Sequence, residues 1–211
     1  MLFVNDTFTD SNGTLLQDHT GELGATWTKY PGYTGDATID TNLLYGAGVN
    51  IFDTYYASGA PRSADYYVQA TLVFKTSVVG ARFGILGRAD QTVSAGNDTY
   101  YYVDYEQFTG VWTLYKIVAG VNISLGTFAQ NDGADHVARL DMVGTTIRLI
   151  IDTLEQVSVT DSAISAAGRA GLYLLNVTGS SLLDYSLDTF SAVDKTSIEE
   201  SSFSAVTRYT W

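Results

Sequence analysis

The chain has 211 residues, 45% of them hydrophobic, which is enough for one sizeable core, and it has no cysteine, so neither disulfides nor thiolate metal sites hold it. Eleven basic residues against 23 acidic ones give a net charge of -12, a balance that repels nucleic-acid phosphates and anionic membrane surfaces. The start Met1-Leu-Phe-Val-Asn-Asp6 lacks the basic n-region and apolar stretch of a secretory signal, and nowhere do eighteen apolar residues run together, so neither Sec export nor membrane insertion is expected.

In chain order the signals are those of strands. Segments rich in Val, Ile, Thr, Tyr and Phe recur at short intervals between Gly, Asn and Asp, while helical spacing is nearly absent. Asp6-Thr-Phe8 near the start returns as Asp188-Thr-Phe190 near the end, which suggests paired first and last strands. In the run from Tyr66 to Lys75, the positions Val68, Ala70, Leu72 and Phe74 alternate with Tyr67, Gln69, Thr71 and Lys75, the two-residue period of a half-buried strand. From Arg82 to Arg88 the same rule sets Phe83 and Ile85 opposite Arg82 and Arg88, and from Thr146 to Asp152 it aligns Ile147, Leu149 and Ile151. Gly120 and Gly144 mark tight hairpins, Gln130–Asp135 a longer loop, and Asp161–Gly168 a turn-rich crossing with room for a helical turn. Pro31 and Pro61 fall in loops, where a missing N–H is harmless. The fold expected is all-β: two antiparallel sheets packed face to face as one domain over residues 1–194. Residues 195–211 form a tail outside the pattern, and its aromatic residues Phe203, Tyr209 and Trp211 are candidates for docking.

The run from Asp6 through Asp10-Ser-Asn-Gly13 to Trp27 resembles the opening of concanavalin A-like, laminin-G-like jelly rolls found in phage virion proteins and bacterial surface proteins. Leu114–Gly126 resembles that group's strand-turn-strand, and Val143–Asp152, Ser158–Asp161 and Gly168–Leu172 resemble its later hairpin and crossing. The likeness spans about residues 5 to 194. One departure stands out, since Asp152-Thr-Leu-Glu155 occupies a hairpin where such domains often carry Asp-Gly.

For chemistry, two carboxylates on one strand face are the first requirement of a glycoside hydrolase. The Glu-x-Asp-x-x-Glu strand of glucanases with this fold is missing, and Asp104-Tyr-Glu106 is the nearest match. His19 in a loop and His136 at a strand start read as turn or surface residues, and no nucleophile motif accompanies either. No enzyme is expected. Sugar binding needs aromatic faces for the apolar side of a pyranose and planar polar groups for its hydroxyls, and Tyr100, Tyr102, Asp104 and Glu106 on one strand supply both. Arg82, Arg88 and Trp112 are candidates for the same face. Calcium is the one cofactor the oxygen-rich composition suits, with Asp6 and Asp188 as candidate ligands. The sequons at Asn5, Asn12, Asn97, Asn122 and Asn176 are expected to be unmodified.

The reading these features favour is a non-enzymatic virion component, a phage capsid decoration or tail-associated protein at the virion surface, held to other virion proteins or copies of itself by its sheet surface and tail. A lectin-like adhesion module that binds surface glycans is the alternative, and a glycoside hydrolase comes last. No nucleic-acid partner is expected.

Overall fold

A computed structural model describes residues 1–46, 51–74, 82–176 and 185–195. Phe203, Tyr209 and Trp211, and with them residues 196–211 of the expected docking tail, lie outside the described residues.

The described residues form sixteen strands: β1 (Leu2–Asp6), β2 (Thr14–Leu15), β3 (Trp27–Lys29), β4 (Thr38–Asp40), β5 (Leu43–Tyr45), β6 (Ile51–Ala57), β7 (Tyr66–Phe74), β8 (Arg82–Ala89), β9 (Tyr100–Glu106), β10 (Val111–Val118), β11 (Val121–Ala129), β12 (His136–Val143), β13 (Thr146–Ile151), β14 (Leu154–Thr160), β15 (Arg169–Asn176) and β16 (Tyr185–Asp194). A single 3-10 turn at Leu16–Asp18 is the one helical element among them, and the crossing at Asp161–Gly168 carries none. One sheet has the order β14-β13-β12-β7-β16-β5-β4-β2, with β1 also on β16, and the other has the order β11-β10-β9-β8-β15-β6-β3. Every pairing is antiparallel. The chain is therefore a two-sheet jelly-roll sandwich.

Alternation decides which side chains fill the space between the sheets. Val68, Ala70 and Leu72 of β7 meet Phe83 and Ile85 of β8, Tyr101, Val103 and Tyr105 of β9, and Leu172 and Leu174 of β15 in one continuous core. The ends close as the repeated Asp-Thr-Phe suggests: β1 pairs with β16, with Asp6 opposite Phe190.

The hairpins follow their turn chemistry. Val118 pairs with Val121 across Ala119 and Gly120, both at positive φ, the mirror-image turn that matches the twist of the strands. Ile151 pairs with Leu154 across Asp152 and Thr153 at φ 48° and 75°, the same turn built without glycine. A β-branched residue in that region is strained. Asp152 offsets the strain, since its carboxylate accepts from the Val137 amide at 2.9 Å and binds His136 Nδ1 at 2.6 Å, tying the turn to β12.

Candidate functional site

The outward face of the seven-stranded sheet differs from an ordinary wet sheet face. It carries a second apolar cluster, separate from the core, of Tyr30, Leu86, Ala89, Tyr100, Tyr102, Tyr173 and Leu175, with Tyr33, Val93, Tyr115 and Ile117 packed on it. Segments 30–33 and 93 lie over one end of β9, which is why Tyr100 is buried on an outward position; its ring stands edge-on to Tyr30 at 6.0 Å. Buried in this way, the Tyr33 hydroxyl is pushed up to about 12, and Asp98 accepts its hydrogen bond at 2.9 Å.

Toward the other end of β9 the registers line up three rows across the sheet. Gly171, Leu86, Tyr102, Tyr115 and Ser124 form the first, and Tyr173, Gly84, Asp104, Thr113 and Thr127 the second. Leu175, Arg82, Glu106, Val111 and Ala129 form the third. The middle row holds the chemistry. A Cβ on Gly84 would lie 1.7 Å from the Val103 carbonyl oxygen, so no side chain fits there, and Asp104 sits beside a bare backbone position. Arg82 bridges both acids of its neighbour strand, Nη1 to Asp104 Oδ2 at 3.1 Å and Nη2 to Glu106 Oε2 at 3.3 Å. The rings of Tyr102 and Tyr115 stack at 4.9 Å, and Asn122 of β11 donates to the Tyr102 hydroxyl at 2.9 Å.

Depth separates the roles of these groups. Asp104 is 1% exposed and its Oδ1 has no hydrogen-bond partner among the described residues, whereas Arg82 and Glu106 reach solvent at 28% and 32%. The Asp104 carboxyl is pushed up to about 7: burial raises it, against the pull of the Arg82 guanidinium, and the Glu106 carboxylate adds to the rise. Asp104 thus lies under Arg82 and orients it, while Arg82, Glu106, Asn122 and the partly exposed Tyr115 ring face outward. A planar guanidinium, a carboxylate, an amide and an aromatic face form a set that reads hydroxyls and an apolar ring face together.

Two residues assigned to this face from sequence are elsewhere. Trp112 pairs with Tyr105, one step out of phase with Asp104 and Glu106, and is wholly buried in the core with its ring 4.6 Å from Tyr105. Arg88 has φ 52°, which breaks the alternation of β8 and turns the side chain inward. There its guanidinium donates to the carbonyls of Ala64 at 3.0 Å, Ile164 at 2.8 Å and Gly144 at 3.0 Å, tying three loops together. Tyr100, Tyr102, Asp104, Glu106 and Arg82 do share one face. Sequence reading missed Tyr115, Thr113 and Asn122, although the parity that excludes Trp112 is the signal that selects Thr113 and Tyr115.

The proposed calcium ligands are not drawn together. The Asp6 carboxylate is fully buried and accepts from Phe8 N at 2.7 Å and Trp27 Nε1 at 2.6 Å, with His19 Nε2 at 3.0 Å. The register sets Asp6 opposite Phe190, while Asp188 lies within the irregular stretch of β16 between Leu187 and Phe190 and is partly exposed. Among the described residues no group of three His, Asp or Glu side chains is arranged to hold a metal.

Both histidines are buried, against their reading as turn or surface residues. His19 bridges Asp6 and Asp10, and His136 bridges Asp132 and Asp152. Burial opposes their charging, but the paired aspartates overcome it and hold both imidazoles above the usual histidine range. Groups raised in the fold stabilise it below their unfolded value and lose that contribution as pH rises through the folded one; this holds for both histidines and for Asp104. The melting temperature is therefore expected to fall from pH 6 to pH 9, and His19→Gln with His136→Gln to flatten the slope. A scan by differential scanning fluorimetry with a rising or level profile would contradict this.

Two clefts, of about 350 and 550 Å³, lie at the far end of β8 and β9 around Thr92 and Thr99. Their charged groups are already engaged: Arg88 by three carbonyls, and Asp90 by Thr92, whose amide donates to it at 2.9 Å. The sheet face, not these clefts, presents outward-facing polar groups beside an aromatic ring.

The chain matches no protein-family model and no curated protein sequence. Solved structures share the fold at low identity. The carbohydrate-binding module CBM66 from Bacillus subtilis is 14% identical with a TM-score of 0.58, over 77% of this chain and 91% of that one. The exoplasmic/lumenal domain of VIP36, in a Ca2+/Man3GlcNAc-bound form, is 10% identical with a TM-score of 0.61, over 83% and 88%. The Bacillus licheniformis beta-glucanase is 10% identical with a TM-score of 0.59, over 91% and 98%. These neighbours are jelly rolls of the concanavalin A-like kind, and none of the three is named as a virion protein.

Proposed function

We propose that the protein is a lectin-like carbohydrate-binding module whose site is the outward face around Arg82, Glu106, Tyr115 and Asn122. The observation that carries this reading is the Asp104–Arg82–Glu106 bridge beside the stacked Tyr102 and Tyr115, a charged and aromatic arrangement on a sheet face that packing does not require. Two of the neighbours, the carbohydrate-binding module and the mannose-bound VIP36 domain, support it as likenesses of fold. They favour the glycan-binding alternative over the virion role, for which no neighbour named above speaks.

The module binds sugar without cleaving it. A retaining or inverting hydrolase needs one carboxyl free to give a proton and another free to attack or to activate water. Here one guanidinium holds both carboxylates, and Asp104 is closed off from solvent.

Arg82→Met and Glu106→Ala are each expected to weaken binding to an immobilised glycan at least tenfold while leaving the far-ultraviolet circular dichroism unchanged, since both side chains are partly exposed. Binding that survives both substitutions would move the site off this face. EDTA-treated protein is expected to bind as well as untreated protein.

A further inference from the structure

The charge layout of this face narrows the ligand class. On β8, β9 and β10 the charged side chains that point outward among the described residues are Arg82, Asp104 and Glu106. Lys116 of β10 has the opposite parity and pairs with Asp161, and Arg88 is turned inward onto carbonyls. On these three strands, among the described residues, the one outward cation is therefore already bridged by two carboxylates, at 3.1 and 3.3 Å, and an incoming anion finds no guanidinium or ammonium there free to receive it. It meets instead the partly exposed Glu106 carboxylate, in a chain of net charge -12. Hydroxyls suit the same groups well, because they can donate to Glu106 and accept from the Asn122 amide while a pyranose face rests on Tyr115.

Resting on the glycan-binding reading, we infer that the ligand is an uncharged sugar and that the Arg82–Glu106 pair turns away sialylated, uronic-acid and sulfated sugars. Like-charge exclusion of this sort is screened by salt, whereas hydrogen bonding and ring stacking are much less so.

A glycan array carrying matched pairs tests the inference: lactose with 3′-sialyllactose, mannotriose with a mannuronate trimer, cellotetraose with a glucuronate-bearing cello-oligosaccharide, and inulin with sulfated inulin. The expected result is at least one neutral member bound, its acidic partner at least tenfold weaker at 0.05 M salt, and that gap narrowed at 0.5 M salt and in Glu106→Gln. An acidic member bound as tightly as its neutral partner would overturn the inference and leave the glycan-binding reading standing. No binding to any member would remove that reading itself.

Discussion

Arg88→Met is expected to cost about 3–5 kcal/mol of folding free energy in urea denaturation, the largest loss anticipated for a single polar side chain in this fold. Arg88 is almost fully buried, and its guanidinium serves the carbonyls of Ala64, Gly144 and Ile164 at 2.8–3.0 Å, each from a different loop at one end of the sandwich. Its backbone amide also donates to the Tyr66 hydroxyl, which in turn lies 2.9 Å from the Ala167 carbonyl. Methionine fills the volume but leaves three carbonyls without donors. Arg88→Lys should recover only part of the loss, because an ammonium on a flexible stem lacks the planar fork that spans three acceptors. A loss below about 1 kcal/mol for the methionine variant would show that these bonds do not hold the loops.

Asp6→Ala is expected to cost about 3–4 kcal/mol, and added calcium should not restore it. The Asp6 carboxylate caps Phe8, which sits at φ 49° and is fully buried, and it anchors the Trp27 indole and His19. Its removal leaves three donors unmatched where the first strand ends. Asp6→Asn should cost less, about 2 kcal/mol, because one oxygen survives as an acceptor while the new amide faces donors. Equilibrium unfolding at pH 6, with and without 2 mM calcium chloride, measures both. Recovery of the Asp6→Ala loss on adding calcium would favour a metal-ligand role over a hydrogen-bonding one.

These two residues show where reading the sequence succeeds and where it stops. Alternation in β7 and β8, and glycine at positions 120 and 144, carried the strands, hairpins and layer architecture, because period and turn chemistry are local. Arg88 escapes the alternation because a single left-handed residue reverses it, and nothing local marks an arginine as having φ 52°. Trp112 is one step out of phase with the outward set, and its strand partner, which fixes that phase, is not visible in the local sequence. Asp6 looked like a free oxygen ligand because its donors, His19 and Trp27, are 13 and 21 residues away in sequence. The outward set was half legible: Tyr102, Asp104 and Glu106 share one strand, but Asn122 and Tyr115 join them only through the pairing of β9, β10 and β11.

On the proposed function, this sheet face and no other surface receives a sugar. Amide chemical shifts recorded while an uncharged oligosaccharide from the array is titrated in test it most directly. Perturbations are expected to cluster at Arg82, Asp104, Glu106, Thr113, Tyr115 and Asn122. A cluster on the outward residues of the other sheet, such as Tyr67, Gln69 and Arg139, or around Thr92 and Thr99, would contradict it.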